Sequence, residues 1–170
     1  THERSSAASD VYKRQRLTQG VRDVEGNDVI EFVAKHTIPS YKKITYANMV
    51  CDYRPLKKDP NRTRLTIGGN KLDYPGESAS PAATLLDTKL LLNSVISDSK
   101  KGARFLTLDL KDHFLQTLMD DPEYMRIHSK YFFGDIRQKY NIDELTHTDG
   151  FVYCKIKKGM YGLKQSARLA

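Results

Sequence analysis

Three features of the amino-acid sequence predict an α/β fold of the α+β kind. A helical pattern from Ser80 to Gly102 delivers the chain straight to a run with strand periodicity, Arg104 to Leu110. Gly68-Gly69 lies between two short β-prone runs, where both residues can take positive φ and close a hairpin. Further runs rich in β-branched and aromatic residues stand on either side, around Val29 to Ala34, Ile44 to Arg54 and Phe151 to Lys157.

The chain has 170 residues with 39% apolar content, enough for one domain with a core or for part of a larger one. It carries no start Met and stops in mid-pattern at ARLA, so a fragment is expected. Twenty-eight basic against 21 acidic residues give +7, which suits a polyanionic partner without proving one. Cys51 and Cys154 stand far apart with no CxxC spacing, which points to neither a zinc site nor a disulfide framework and makes a reduced intracellular setting the default. No apolar run reaches membrane-spanning length and no signal-peptide pattern opens the chain, so no membrane partner is expected.

Residues 1–15, THERSSAASDVYKRQ, are polar and unpatterned, and SSAASDVYKRQ resembles the translated end of a sequencing-library transposon adapter. They are expected to be disordered, with few contacts to the remainder. Val29 to Ala34 reads as a strand, followed by a loop around Pro39. Ile44 to Arg54 reads as a strand or extended arm leading into Pro55. The run RTRLTIGGNKLDY gives the glycine-joined hairpin, within the densest positive patch, Arg54 to Lys71. Ser80-Pro81 is a helix start, a hydroxyl cap before a proline at the first helical position. Leu85, Leu86, Leu91, Leu92, Val95 and Ile96 give that helix a broad apolar face, ending near Lys101-Gly102.

Along ARFLTLDLKDHF, Phe105, Thr107 and Asp109 fall on one face at period two, and Leu106, Leu108 and Leu110 on the other. The leucine face calls for a packed layer of helices, which leaves Asp109 presented at the strand's end as a metal-binding carboxylate would be. Read as residues alone, Asp109 and Asp112 also serve as punctuation of a strand-to-helix turn, with Asp112 capping a helix that begins at His113. Asp120-Asp121-Pro122 reads as a turn, Tyr124 to Ile127 as a short strand, and Ser129 to Tyr140 as a helix with Phe132, Ile136 and Tyr140 on one side. Gly150 opens the last strand, Phe151 to Lys157, and KKGMYGLKQSARLA follows as a glycine turn and a basic helix.

LDLKDHF resembles the first catalytic motif of reverse transcriptases, and KKGMYGLKQSARLA resembles the copia-type form of the segment that begins the helix over incoming nucleotide and template. ITYANMVCDYRPLK, RTRLTIGGNKLDYPG, KLLLNSVISDSKKGARFLTLDLKDHFLQ and PEYMRI are likewise similar to segments of copia-type (pseudovirus) LTR-retrotransposon polyproteins. The resemblance implies an RNA-directed DNA polymerase fragment: fingers and the first half of a right-hand palm, with a mainly antiparallel sheet. It divides the chain at 16–102 (fingers and the approach to the palm), 103–128 (palm strand, turn and helix) and 129–170 (fingers insertion and the start of the template-contacting helix).

Residue by residue, the resemblance makes Asp109 catalytic and assigns Mg²⁺ (or Mn²⁺) to Asp109 and Leu110, for two-metal nucleotidyl transfer. It places nucleotide contacts at Arg62, Arg64, Asp112, His113, Phe114, Gly162, Lys164, Gln165 and Ser166. Phe114 would exclude a 2′-hydroxyl, and Arg64, with Arg62 close by, would hold the triphosphate. Gly162 would let backbone approach a base or sugar, while Lys164 and Arg168 could meet phosphate. The implied partners are RNA/DNA template-primer, deoxynucleoside triphosphates and the remainder of the element polyprotein, in a cytoplasmic particle or the nucleus. Leu118 departs from the more usual proline before Met119, and Leu118-Met119-Asp120-Asp121 is a decoy for the paired-aspartate motif, since it precedes the glycine-lysine segment and runs into Pro122. That motif is expected downstream, so these residues by themselves are expected to be inactive. A non-catalytic basic α/β module that binds RNA through its Arg54 to Lys71 patch and its tyrosines is the alternative.

Overall fold

The computed structural model describes residues 14–56, 60–79, 82–110 and 112–169, without the side chains of Asn61 and Arg62. The helical turn α1 covers residues 14–17. It is followed by a small ribbon of β1 (Gly20–Val21) and β2 (Val24–Glu25), then β3 (Ile30–Val33), β4 (Ile44–Tyr53) and β5 (Asn61–Ile67). Helix α2 (Leu85–Ser97) comes next, then β6 (Leu118–His128), α3 (Gly134–Lys139), α4 (Ile142–Leu145), β7 (Phe151–Lys158) and α5 (Ser166–Leu169).

Five strands share one curled sheet in the order β3-β7-β6-β4-β5, and every neighbouring pair is antiparallel except β4 with β6. The fold is therefore mixed α/β, with the mainly antiparallel sheet that the sequence led us to expect. Strand alternation explains the centre: Val152, Cys154 and Ile156 of β7 point to one face and are fully buried there, joined by Met125 and Ile127 of β6. Opposite them lie Phe132, Ile136 and Ile142, carried by the segment from residue 132 through α4. Phe32 meets Phe132 edge-on, ring centroids 5.2 Å apart, a geometry worth about 1 kcal/mol beyond the area it covers. Arg137 ties this layer together by donating to Asp143 and to the carbonyls of Ser129 and Phe132.

Several sequence expectations need correction. Gly68-Gly69 does not join the hairpin; β5 pairs with β4, Ala47 facing Ile67 and Tyr53 facing Asn61, so the loop lies between Tyr53 and Asn61. The glycines serve close approach instead. A Cβ on Gly69 would stand 2.0 Å from the Gly162 carbonyl oxygen, and one on Gly68 would stand 2.4 Å from the Tyr46 ring. Asp120-Asp121-Pro122 is not a separate turn: it lies inside β6, where the register against β7 shifts between Leu118 and Glu123, and such an irregularity accommodates a proline that cannot donate. Ser129–Tyr131 is a 3-10 turn, and the helix proper begins only at Gly134. Residues 14 and 15, placed in the leader by sequence, belong to α1, and Arg14 is buried with its guanidinium 5.8 Å from the Phe133 ring. Residues 1–13 lie outside the described part.

Helix α2 forms where the leucines predicted it, but the expected start at Ser80-Pro81 lies outside the described residues. Its cap is Thr84, whose hydroxyl accepts from the Asp87 N–H, while the Asp87 carboxylate accepts from the Thr84 N–H and hydroxyl. Those bonds hold the Asp87 carboxyl below its ordinary range. No residue of α2 is buried, so its apolar face meets solvent. The same holds for the expected strand Phe105 to Leu110, which is neither paired nor covered; Leu106 and Leu108 are 75% and 77% exposed. The leucine face therefore lacks the helix layer it calls for, and the segment is not among the five strands of the described sheet.

Candidate functional site

Two sequence-distant turns meet beside β5. The first, the 3-10 helix His113–Gln116, follows Asp112, which takes left-handed backbone at φ 56°. Residues 159–166 wrap against it: Gly159 N–H donates to the Thr117 carbonyl at 2.8 Å, and a Cβ on Gly159 would stand 2.6 Å from the Phe114 carbonyl oxygen. Ser166 Oγ closes the wrap by accepting from Met160 N–H at 3.0 Å and donating to the Met160 carbonyl at 2.7 Å. Ile67 N–H donates to the Tyr161 carbonyl at 2.9 Å, which fixes the same segment to the end of β5.

The junction encloses a cavity of about 80 Å³ lined by Arg16, Leu17, Asn27, Thr63, Arg64, Leu65, Asp112, Leu115 and Tyr161. Arg16 donates to Asp112 Oδ2 at 2.7 Å, both side chains being 17% exposed. The Arg64 guanidinium stands 5.7 Å from the Tyr161 ring centroid, yet its Nε is buried with no hydrogen-bond partner, as is Asn27 Nδ2. A buried donor without an acceptor costs about 1–3 kcal/mol, so two of them around one cavity point to an absent acceptor. Two guanidiniums against one carboxylate give the cavity a positive balance, which suits an anion. At this volume it fits a phosphate-sized group and not a whole nucleotide.

Of the residues nominated from sequence, Arg64 and Asp112 line this cavity, and Phe114 borders it through an edge-on contact with Tyr161 at 5.7 Å. His113 is exposed beside Phe114, ring centroids 6.0 Å apart. Gly162 sits at the junction with φ 98°, but the backbone it lets approach is the protein's own: a Cβ there would stand 2.2 Å from the Ile67 carbonyl oxygen. Lys164 Nζ donates to the Leu72 carbonyl at 3.2 Å. Gln165 and Ser166 are buried, Gln165 against Glu123 and Ser166 in the wrap described above. Burial pushes the Glu123 carboxyl up, an effect that Lys42 opposes and Asp121 reinforces. The Arg62 side chain lies outside the described residues.

Asp109 and Leu110 are not brought to the cavity; both are exposed on the unpaired stretch. Among the described residues no group of three or more His, Cys, Asp or Glu side chains could hold a metal ion. These residues therefore do not fit a complete two-metal centre. Sequence reading missed Arg16, Asn27 and Tyr161 as site residues. Tyr161, beside the glycine of the second motif, was findable; Arg16 and Asn27 carry no local signal. Among the described residues no helix is long and apolar enough to cross a membrane. No protein-family model, curated protein or solved structure matches the chain.

Proposed function

We propose that the chain is the fingers and first palm segment of a copia-type reverse transcriptase, and that its own contribution is to hold the phosphate end of a deoxynucleoside triphosphate. The observation that carries this reading is the unpartnered, buried Arg64 Nε in a cavity shared with Asp112. Those two residues belong to two segments whose resemblance pointed to nucleotide contacts, and they are 48 positions apart in the sequence. A phosphate oxygen would satisfy the stranded donor. Asp112, held by Arg16, keeps the cavity from carrying two uncompensated charges. Phe114 and Tyr161, edge to face at its rim, offer the flat surface against which a sugar would be sized. Template-primer and the metal chemistry of transfer would engage the paired-aspartate motif as well as these residues.

The test is titration calorimetry of a deoxynucleoside triphosphate against the chain and against Arg64→Gln. Loss of a charge-assisted phosphate contact should weaken binding about ten- to a hundredfold. Equal affinity of the two proteins, or equal affinity for the unphosphorylated nucleoside, would remove the reading.

A further inference from the structure

The outer half of β4 has one open edge. β4 pairs with β6 only from Ile44 to Tyr46, opposite Tyr124 to Arg126, whereas its pairing with β5 runs from Ala47 to Tyr53. In such a ladder the backbone hydrogen-bonding groups of successive residues point to opposite sides of the strand. Gly68 N–H donates to the Tyr46 carbonyl and Arg54 N–H to the Pro60 carbonyl, so the even-numbered residues turn their groups toward β5. Those of Met49 and Cys51 turn the other way, where no described strand pairs with β4 beyond Tyr46. Edges that a fold keeps free are blunted by charge, proline or a bulge. Ala47 to Cys51, ANMVC, carries no charge and no proline, and its register with β5 runs without a shift.

Charge decides what fits there. Where the two strands diverge they leave a cleft of about 380 Å³, whose lining includes Met49, Arg126, Lys130 and Tyr131 but no carboxylate. The Arg126 guanidinium rests 4.8 Å from the Phe151 ring centroid, and Lys130 Nζ rests 5.3 Å from that of Tyr131. A cation lying over a ring keeps its N–H groups for a carboxylate. Arg126 stands opposite Tyr46, so a strand laid along Ala47 to Cys51 would enter the cleft at its Ala47 end and meet these cations. Unpaired backbone groups at strand spacing hold another strand, and cations with no acid among them favour one that carries acids.

We propose that the open edge of β4 docks an extended acidic peptide of a partner protein as an added strand, its backbone pairing with Met49 and Cys51 and its carboxylates meeting Arg126 and Lys130. The edge from Ala47 to Cys51 is about 17 Å long at about 3.3 Å per residue, room for roughly five peptide residues. None of Met49, Cys51, Arg126 and Lys130 lines the Arg64 cavity, so the docking stands whether or not that cavity holds a nucleotide. Cations alone would attract any polyanion; the row of backbone donors and acceptors is what selects a peptide.

Fluorescence anisotropy with labelled acetyl-Glu-Val-Glu-Val-Glu-Val-amide tests it, alongside the peptide with lysine in place of glutamate and two forms N-methylated at every valine or at every glutamate. The acidic peptide should bind more tightly than the lysine peptide. Because a strand turns alternate amides to one side, one of the two N-methylated forms should lose about fivefold or more in affinity. Cys51→Pro deletes an N–H outside the β5 ladder, a place where an edge strand tolerates proline; it should weaken binding about two- to tenfold, and Cys51→Ala should not. Arg126→Gln and Lys130→Gln should each weaken it about two- to tenfold, whereas Lys100→Gln, the same charge change at an exposed position elsewhere, should not. Circular dichroism of each variant separates lost docking from lost fold, and the N-methylated peptides probe the same backbone bonds without altering the protein. Equal binding of the acidic and lysine peptides, or binding of both N-methylated forms as tight as that of the parent, would overturn the proposal.

Discussion

Replacing Arg64 by methionine should raise the stability of the chain while removing its hold on a triphosphate. The buried, unpartnered Nε costs about 1–3 kcal/mol in the free protein. Against that, the guanidinium gains about 0.5–1 kcal/mol from the Tyr161 ring 5.7 Å away. Methionine reaches a similar distance, carries no donor, and its thioether also packs well against an aromatic ring. The difference leaves the variant about 1 kcal/mol more stable, which for a chain of this size is a rise of about 2–4 °C in Tm. Urea denaturation followed by circular dichroism measures it, with the m-value unchanged. Adding a deoxynucleoside triphosphate at a hundred times its Kd should reverse the order, since ligand stabilises the wild-type chain by about 2.7 kcal/mol and the variant hardly at all. A variant less stable than wild type by 1 kcal/mol or more would mean that Arg64 is a satisfied structural residue, and a ligand shift equal in both proteins would mean that the cavity is not the phosphate site.

Gly162→Ala should destabilise the chain by more than about 2 kcal/mol, because its φ of 98° is strained for alanine and the new Cβ would stand 2.2 Å from a backbone oxygen; urea midpoints for this variant and for Ala167→Gly, at an exposed helical position, give the comparison. For Glu123, burial raises the carboxyl in the folded state, so the fold binds a proton that the unfolded chain has already released. Its stability contribution is therefore present at low pH and lost as pH rises through and above the ordinary carboxylate range. The Tm of Glu123→Gln relative to wild type should accordingly climb across that window, and a flat or falling difference would contradict the assignment. Cys154 is fully buried, with its thiol pushed up by burial, whereas Cys51 is exposed; mass spectrometry after iodoacetamide should find Cys51 alkylated in the native chain and Cys154 only after unfolding.

Much of the fold was legible because its signals are local. Runs rich in β-branched and aromatic residues marked β3, β4 and β7 to within a residue or two, and the leucine spacing marked α2. Such local signals report which element a stretch favours and which side chains want burial, and not what covers them. For that reason Phe105 to Leu110 read as a buried strand although the described sheet gives it no partner, and the apolar face of α2 read as packed although none of it is buried. The β4-β5 hairpin was assigned to the wrong glycines for a related reason. Glycine spacing is the same whether the missing side chain makes room for a turn or for another stretch of backbone, and at Gly69 the neighbour is Gly162, far away in sequence.

The candidate site divides along the same line. The resemblance of three separate segments nominated Arg64, Asp112 and Phe114, and Gly162 as nucleotide contacts. That those segments meet depends on the Gly159–Thr117 backbone bond that joins one turn to the other, and on the Ile67–Tyr161 bond that ties the second turn to β5. The conversion of Gln165 and Ser166 from nominated nucleotide contacts into buried structural groups is likewise a matter of packing, since only tertiary neighbours decide whether a polar side chain faces Glu123 and Met160 or a solvent-filled cleft. Arg16 and Asn27 join the cavity from a segment with no motif at all. Sequence by itself determined which groups are present and the secondary structure they favour; the geometry that turns a stranded guanidinium into a site depends on long-range contacts, which local preference does not encode.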